Sequence, residues 1–366
     1  MYNNYSDKND KIDLLSLSKE ELRDIVKDKL NIEKYRADQI YSWMYKANSF
    51  AAMSNISEKH KTLFDEHFYI KKLTIDKKSV SNDGTVKYLF DLGDGNKIES
   101  VLMRYKHGNS VCISTQAGCR MNCAFCASSI GGLVRNLTPS EMLLQITQIE
   151  KDTGERVSNV VLMGIGEPLD NFDNVIKFLE LANTGLNIGL RHISLSTCGL
   201  VDKINELKQK NMPITLSISL HAPNDEIRSK IMPINLKYNI SELIAACKDY
   251  VNHTRRRISF EYILIDGLND STENALELAS HIQGMLAHVN LIPINIISIN
   301  AKDQKDSKAK IEKRETKNTF APPDKKKAER FRQILERNGI NATFRRKCGD
   351  DVNASCGQLR LNSLNN

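Results

Sequence analysis

Residues 111–141 read VCISTQAGCRMNCAFCASSIGGLVRNLTPSE, and their order sets the expectation for the fold. Val111–Thr115 is a short β-branched apolar run of the kind that forms a buried strand. A loop with three cysteines follows, and then Thr138-Pro139-Ser140-Glu141. Thr138 suits a helix N-cap, Pro139 the first helical position, and Glu141 closes a capping box. Strand, loop and capped helix make one βα unit, and the rhythm repeats downstream. Strands are predicted at Asn159–Gly164, His192–Thr197, Ile214–His221, Ile258–Asp266 and Val289–Ile297. Helices fall between them, around 139–151, 172–183, 201–210, 240–252 and 272–287. Six such units predict an α/β fold, a parallel sheet or partial (β/α)6 barrel. Such folds gather their active sites at the C-terminal ends of the strands.

Outside this core the pattern changes. Residues 1–70 read as a small helical module: Ser18–Glu21 forms a capping box, Leu22, Ile25, Val26 and Leu30 share one helical face, and Ile40, Trp43 and Met44 mark another. Residues 71–105 carry strand-like runs broken by Asn82-Asp83-Gly84 and Gly93-Asp94-Gly95, the signature of a β-hairpin extension. The core is assigned to 106–347. Within it 300–323 is a basic loop without core pattern, Asp324–Arg337 a helix ended by Asn338-Gly339, and Ala342–Arg345 a final strand. Residues 348–366 form a tail containing GDDVNASCGQLR.

The composition is that of a globular protein, with 40% apolar and 27% charged residues among 366. No run approaches the ~20 apolar residues of a membrane span, and the polar N-terminus lacks a signal-peptide core, so a cytoplasmic protein with no membrane partner is expected. The net charge of +7 is uneven. Between Lys302 and Lys347 there are 16 basic and 7 acidic residues, a local surplus of +9 that leaves the rest near −2. A basic block at one end hints at a polyanion contacted from one side, and Arg345-Arg346-Lys347 is best placed to hold RNA phosphates.

Of eight cysteines, at 112, 119, 123, 126, 198, 247, 348 and 356, four crowd into fifteen residues, which reads as metal binding or thiol chemistry. Cys119, Cys123 and Cys126 form a C-x3-C-x2-C array. Three thiolates on one loop can hold three irons of a cubane and leave the fourth open to a substrate or cofactor. The competing reading is a zinc-stabilised RNA-binding protein without catalysis. Structural zinc sites are closed by four ligands, however, and no second Cys pair or nearby His completes one here.

The C-x3-C-x2-C loop with Phe125 before its last cysteine resembles the radical S-adenosylmethionine (SAM) superfamily. GCRMNCAFCASSIGGLVRNLTPSE, GIGEPLDNFDNV, ISLSTCG, SISLHAPND, NLIPINI and DVNASCGQLR, in that order, resemble the RlmN/Cfr family of RNA methyltransferases. The resemblance implies a radical SAM barrel, one [4Fe-4S] cluster per chain ligated by Cys119, Cys123 and Cys126, and S-adenosyl-L-methionine bound by Gly166, Glu167, Ser196, Ser219, Leu220, His221 and Asn295. It implies that Cys356 accepts a methyl group from one SAM. A 5′-deoxyadenosyl radical from a second SAM then takes a hydrogen from that S-methyl, and the carbon radical adds to adenine. Cys112 resolves the adduct by forming a disulfide with Cys356, and Glu99 or Cys112 takes the ring proton. A thiol relay suits the chemistry, because a ring carbon between two nitrogens is a poor nucleophile whereas a thiolate attacks a sulfonium methyl readily. Implied partners are 23S rRNA (at the peptidyl-transferase centre), tRNA (at the adenosine 3′ of the anticodon) and an electron donor such as flavodoxin or ferredoxin, with the enzyme a monomer. Methylation at carbon 2 is the first reading and a Cfr-type carbon-8 enzyme the alternative. Cys198 and Cys247 are assigned to packing, and Cys348 has no assigned place.

Overall fold

A computed structural model describes residues 10–295, 320–355 and 358. The N-terminal module contains strand β1 (Ile12–Asp13), helices α1 (Lys19–Asp28), α2 (Lys34–Trp43) and α3 (Glu58–His67), and β2 (Phe68–Tyr69), which pairs in parallel with β1. The capping box expected at Ser18 and Glu21 is formed. Buried Leu22, Ile25 and Val26 face the core, as their spacing requires. The module docks on the N-terminus of helix α4 (Pro139–Thr153). There Ser140 and Ser16 donate their hydroxyls to buried Asp13, and Lys71 lies 2.9 Å from Glu141. Burial pushes the Asp13 carboxyl up to about 6.

The antiparallel strands β3 (Thr74–Val80), β4 (Val86–Asp91) and β5 (Lys97–Tyr105) follow, turning where Gly84, Gly93 and Gly95 adopt positive φ. They add to β6 (Gly108–Cys112) and so share one ten-stranded sheet with the core. The chain then leaves the sheet. A two-stranded ribbon, β7 (Gln116–Gly118) and β8 (Leu133–Asn136), carries the cysteine loop, and α4 begins with Thr138, Pro139 and Glu141 in the expected capping box.

From there the βα rhythm holds: β9 (Val157–Leu162), α5 (Phe172–Gly185), β10 (Ile193–Thr197), α6 (Val201–Gln209), β11 (Thr215–Ser219), α7 (Asp225–Ile231), α8 (Ile240–Thr254), β12 (Ile258–Leu264), α9 (Thr272–Ile282), β13 (Ala287–Pro293), α10 (Lys325–Arg337) and β14 (Ala342–Phe344). The strands stand in the order β14-β13-β12-β11-β10-β9-β6, all neighbours parallel. The core is therefore an open, mostly parallel α/β sheet. It gains a seventh parallel strand, because α10 returns β14 beside β13. Observed strands end two or three residues before several expected ends, since the apolar run continues into the loops that wall the site. Helix α7 was not anticipated; at seven residues it is too short to show a helical period. Among the described residues no helix is long and apolar enough to cross a membrane. The basic stretch 300–317 and Cys356 lie outside the described residues.

Candidate functional site

The ribbon β7–β8 fixes the cysteine loop at both ends. Within it the Cys119 N–H donates to Gly132 O at 3.1 Å and the Cys126 N–H to Cys123 O at 3.2 Å. Ser129 Oγ donates to Cys126 O at 2.8 Å, and the Ala124 N–H ties the loop to Ile231 at the end of α7. Cys119 and Cys123 are buried and Cys126 half-buried. Burial pushes the Cys119 thiol up to about 12 and the Cys123 thiol well above its ordinary value, with the neighbouring thiols adding to both shifts.

All three cysteines border one cavity of about 150 Å³ at the C-terminal ends of the parallel strands. Facing them are Gly166 and Glu167 after β9, Ser196 in β10, Ser219 in β11 and His221 just beyond it. Gly166 has φ +111, and a Cβ there would lie 2.7 Å from Gln116 Cβ and 2.8 Å from its backbone N, so only glycine fits. The next N–H, of Glu167, donates to Gln116 Oε1 at 2.9 Å. The buried Glu167 carboxylate accepts from Leu169 N at 3.0 Å and Cys198 N at 2.7 Å, and desolvation still raises its pKa. His221 accepts at Nδ1 from the Ile263 N–H, which leaves Nε2 as the protonated nitrogen. Burial lowers its pKa to about 3, so the ring is neutral, edge-on to Phe125 at 4.9 Å. Leu220 packs in the main core, and its N–H donates to Glu261 O at 3.1 Å.

The donor set suits an iron–sulfur cluster. In a cubane each cysteine ligates its own iron, so the sulfurs need to border one cavity and not to converge on a point. Among the described residues no three His, Cys, Asp or Glu side chains converge on a single ion position. Polar groups from several strand ends face the thiols across the same space, where a ligand chelated beside the cluster would lie.

A second, smaller cavity of about 40 Å³ adjoins the first, sharing Ile292 and Arg345 with it. Cys112, at the end of β6, lies on its wall with Asn295 and Cys348. Asn295 thus stands apart from the other expected SAM residues. Ser355, the chain neighbour of Cys356, lines this cavity as well. Cys348 is half-buried, 3.8 Å from the Tyr105 hydroxyl, and packs in one apolar cluster with Cys112. Glu99 is buried on β5, on the same face as Val101 and Met103 of the cavity wall. Its carboxylate lies 3.2 Å from Lys87 Nζ, which also donates to Asn353 O at 3.3 Å. No disulfide joins two of the described cysteines.

Three site residues escaped sequence reasoning. Arg228 of α7 is fully buried and donates to Cys198 O at 2.7 Å, Leu220 O at 3.1 Å and Asn235 Oδ1 at 3.0 Å, clamping the ends of β10 and β11. Cys198, assigned to packing, does pack against Cys123 but also borders the main cavity. Glu261 lines that cavity, accepts from Asn290 Nδ2 at 2.8 Å and lies 3.8 Å from Arg345 Nη1. Arg345 therefore points into the site, whereas Arg346 lies over the Tyr105 ring at 5.7 Å and Lys347 is exposed.

Residues 113–279 match the family model of the Radical SAM superfamily, and residues 12–70 that of the ribosomal RNA large subunit methyltransferase N-terminal domain. A probable dual-specificity RNA methyltransferase RlmN from Clostridium novyi is 51% identical over 96% of this chain and 99% of that protein. One of the same description from Desulforamulus reducens is 50% identical over 96% and 97%. A radical SAM methyltransferase from Sphaerobacter thermophilus, solved by crystallography, superposes with a TM-score of 0.85 at 39% identity, covering 95% of this chain and 99% of that one.

Proposed function

The chain belongs to the RlmN family of radical SAM RNA methyltransferases, and from that footing we propose that it methylates carbon 2 of adenosine in 23S rRNA and in tRNA. The observation that carries the mechanism is the pair of adjoining cavities, one bordered by the three-cysteine loop and the other by Cys112 and Ser355. The relatives' description as dual-specificity RNA methyltransferases supports RNA as the substrate and more than one target.

Family membership brings a [4Fe-4S] cluster, which Cys119, Cys123 and Cys126 would hold, and SAM; given one electron from the external donor, the bound cluster would supply a 5′-deoxyadenosyl radical from SAM. The remaining chemistry belongs to the chain. Gly166, Glu167, Ser196, Ser219 and His221 bind SAM and orient it toward the thiols. Neutral His221 offers a fixed Nε2 donor without adding a second cation beside the sulfonium. Cys356, next in the chain to Ser355 of the second cavity's wall, carries the methyl group as a thioether whose carbon gives up a hydrogen. Cys112, on the second cavity's wall, attacks the Cys356 sulfur: the S–S bond forms as the S–CH2 bond breaks, and the released CH2 gains a proton to become the product methyl. The adduct's unpaired electron is given up by the resulting disulfide, and the external electron donor reduces that disulfide to two thiols for the next turnover. Glu99, ion-paired to Lys87 behind that wall, takes the ring proton. Arg345 lies where the cavities meet and faces the incoming nucleotide's phosphate. The reading places the enzyme in the cytoplasm, acting as a monomer and drawing electrons from a flavodoxin- or ferredoxin-type donor.

Nucleoside mass spectrometry of RNA after turnover tests the proposal. It expects 2-methyladenosine in 23S rRNA and in tRNA; 8-methyladenosine would establish the carbon-8 alternative.

A further inference from the structure

Beside the two site cavities lies a third, of about 800 Å³, between α10 and the edge strand β14. Arg345 borders all three, so the groove adjoins the site. Lys325, Lys326 and Arg330 line it from α10, with Phe344 and Lys347 opposite.

This charge arrangement works against the local fold. Lys325, Lys326 and Lys327 fill the first turn of α10, at the positive end of the helix dipole, and that turn holds no acidic residue. Each such cation is disfavoured by the positive end of the helix dipole. Lys327 is answered by Asp266 at 2.7 Å, and Asp324 caps the helix through the Lys327 N–H. Among the described residues no carboxylate forms an ion pair with Lys325, Lys326, Arg330 or Lys347; Asp324 and Glu273 reach Lys326 and Arg330 only as neighbouring charges. Glu329, the acid inside the groove, is occupied by Arg332 Nε at 3.0 Å and by Gln333. Phe344 adds an aromatic ring left 37% exposed on an edge strand. Unpaired cations beside an exposed ring are the recognition chemistry of single-stranded nucleic acid, with phosphates on the cations and a base stacked on the ring.

We propose that this groove holds the single-stranded RNA flanking the target adenosine, its phosphates on Lys325, Lys326, Arg330 and Lys347 and one unpaired base on Phe344. The assignment rests on the RNA-methyltransferase reading and adds where the strand enters the site: along β14, reaching Arg345 last.

The test uses the full-length, cluster-loaded protein and a fluorescein-labelled RNA hairpin with an adenosine in its loop, followed by anisotropy across a salt series. The triple substitution Lys325→Glu, Lys326→Glu, Arg330→Glu is expected to raise Kd at least tenfold. It should flatten the slope of log affinity against log salt by about 2, at roughly 0.7 per lost single-strand phosphate contact. Phe344→Ala is expected to raise Kd roughly fivefold to a hundredfold, the worth of one stacked base, and Phe344→Tyr to restore it. Iron content and melting temperature, matched to wild type, show that the variants are folded. An unchanged Kd and salt slope in the triple variant, with wild-type turnover intact, overturns the groove alone. A wild-type protein that neither binds nor methylates the hairpin overturns the RNA-methyltransferase reading and the groove with it.

Discussion

Gly166→Ala probes the cradle facing the cysteine loop, and its cost can be built from the geometry. An alanine at φ +111 leaves the regions open to L-residues, at about 1–3 kcal/mol. Its Cβ would also meet Gln116 at 2.7–2.9 Å, against the side chain and against backbone nitrogen. Gln116 has no room to yield: it is fully buried, its Nε2 donates to Asn136 Oδ1 at 2.8 Å and Asp170 Oδ2 at 2.9 Å, and its Oε1 accepts from Glu167 N. Separation of the two segments forfeits that last bond, at about 1 kcal/mol. The sum is about 3 kcal/mol of stability, together with displacement of Glu167 from Cys198 N. Gly95→Ala is the matched control, with φ +85 but open space around its Cβ and a position in the β4–β5 turn. It bears the backbone cost alone. Urea unfolding and equilibrium dialysis of SAM on cluster-loaded protein read the two effects. Gly166→Ala is expected to lose about 3 kcal/mol and to weaken SAM binding more than tenfold, while Gly95→Ala loses about 1 kcal/mol and binds SAM normally. Gly166→Ala with the stability and SAM affinity of Gly95→Ala would refute the argument.

Three further outcomes follow from particular residues. Arg228→Met leaves the carbonyls of Cys198 and Leu220 without their buried donor and, at about 1–3 kcal/mol for each unsatisfied carbonyl, should cost about 2–5 kcal/mol in urea unfolding; a loss below about 1 kcal/mol would show that the clamp is dispensable. Asp13, with a folded-state pKa of about 6 against 3.8 unfolded, binds its proton more tightly when folded, so it weakens the fold as pH rises from about 4 to 6 and fully above that. The shift corresponds to roughly 3 kcal/mol at most, and Asp13→Asn should flatten stability over that window; identical pH profiles would contradict the assignment. Cys112→Ala should trap a protein–RNA adduct visible on a denaturing gel. Failure to trap it, with the adduct restored by further substitution of Cys348, would show that the thiol sharing its cavity takes over.

The parts legible in the sequence were those whose signal is local. The cysteine array, the capping boxes at Ser18 and Thr138, the hairpin glycines and the strand ends at Ser196 and Ser219 all declare themselves within a few residues, and the sheet follows from their repetition. What stayed hidden depends on distant groups. Arg228 reads as one more charge in DEIRSKI, and only the carbonyls of two strand ends make it a buried clamp. Glu261 sits within the apolar run of β12, and nothing nearby announces that its side chain faces the cysteines. Cys348 and Cys112 are 236 positions apart in the sequence and meet only because β5, β6 and the tail pack on one another.

The most direct test of the central claim is turnover with SAM carrying a CD3 methyl group, followed by mass spectrometry of the methylated adenosine. If Cys356 carries the methyl and loses one hydrogen before carbon–carbon bond formation, the product methyl retains two deuteriums, the third appears in 5′-deoxyadenosine, and Cys356→Ala yields no product. Three retained deuteriums, or methyladenosine formed by Cys356→Ala, would contradict the account.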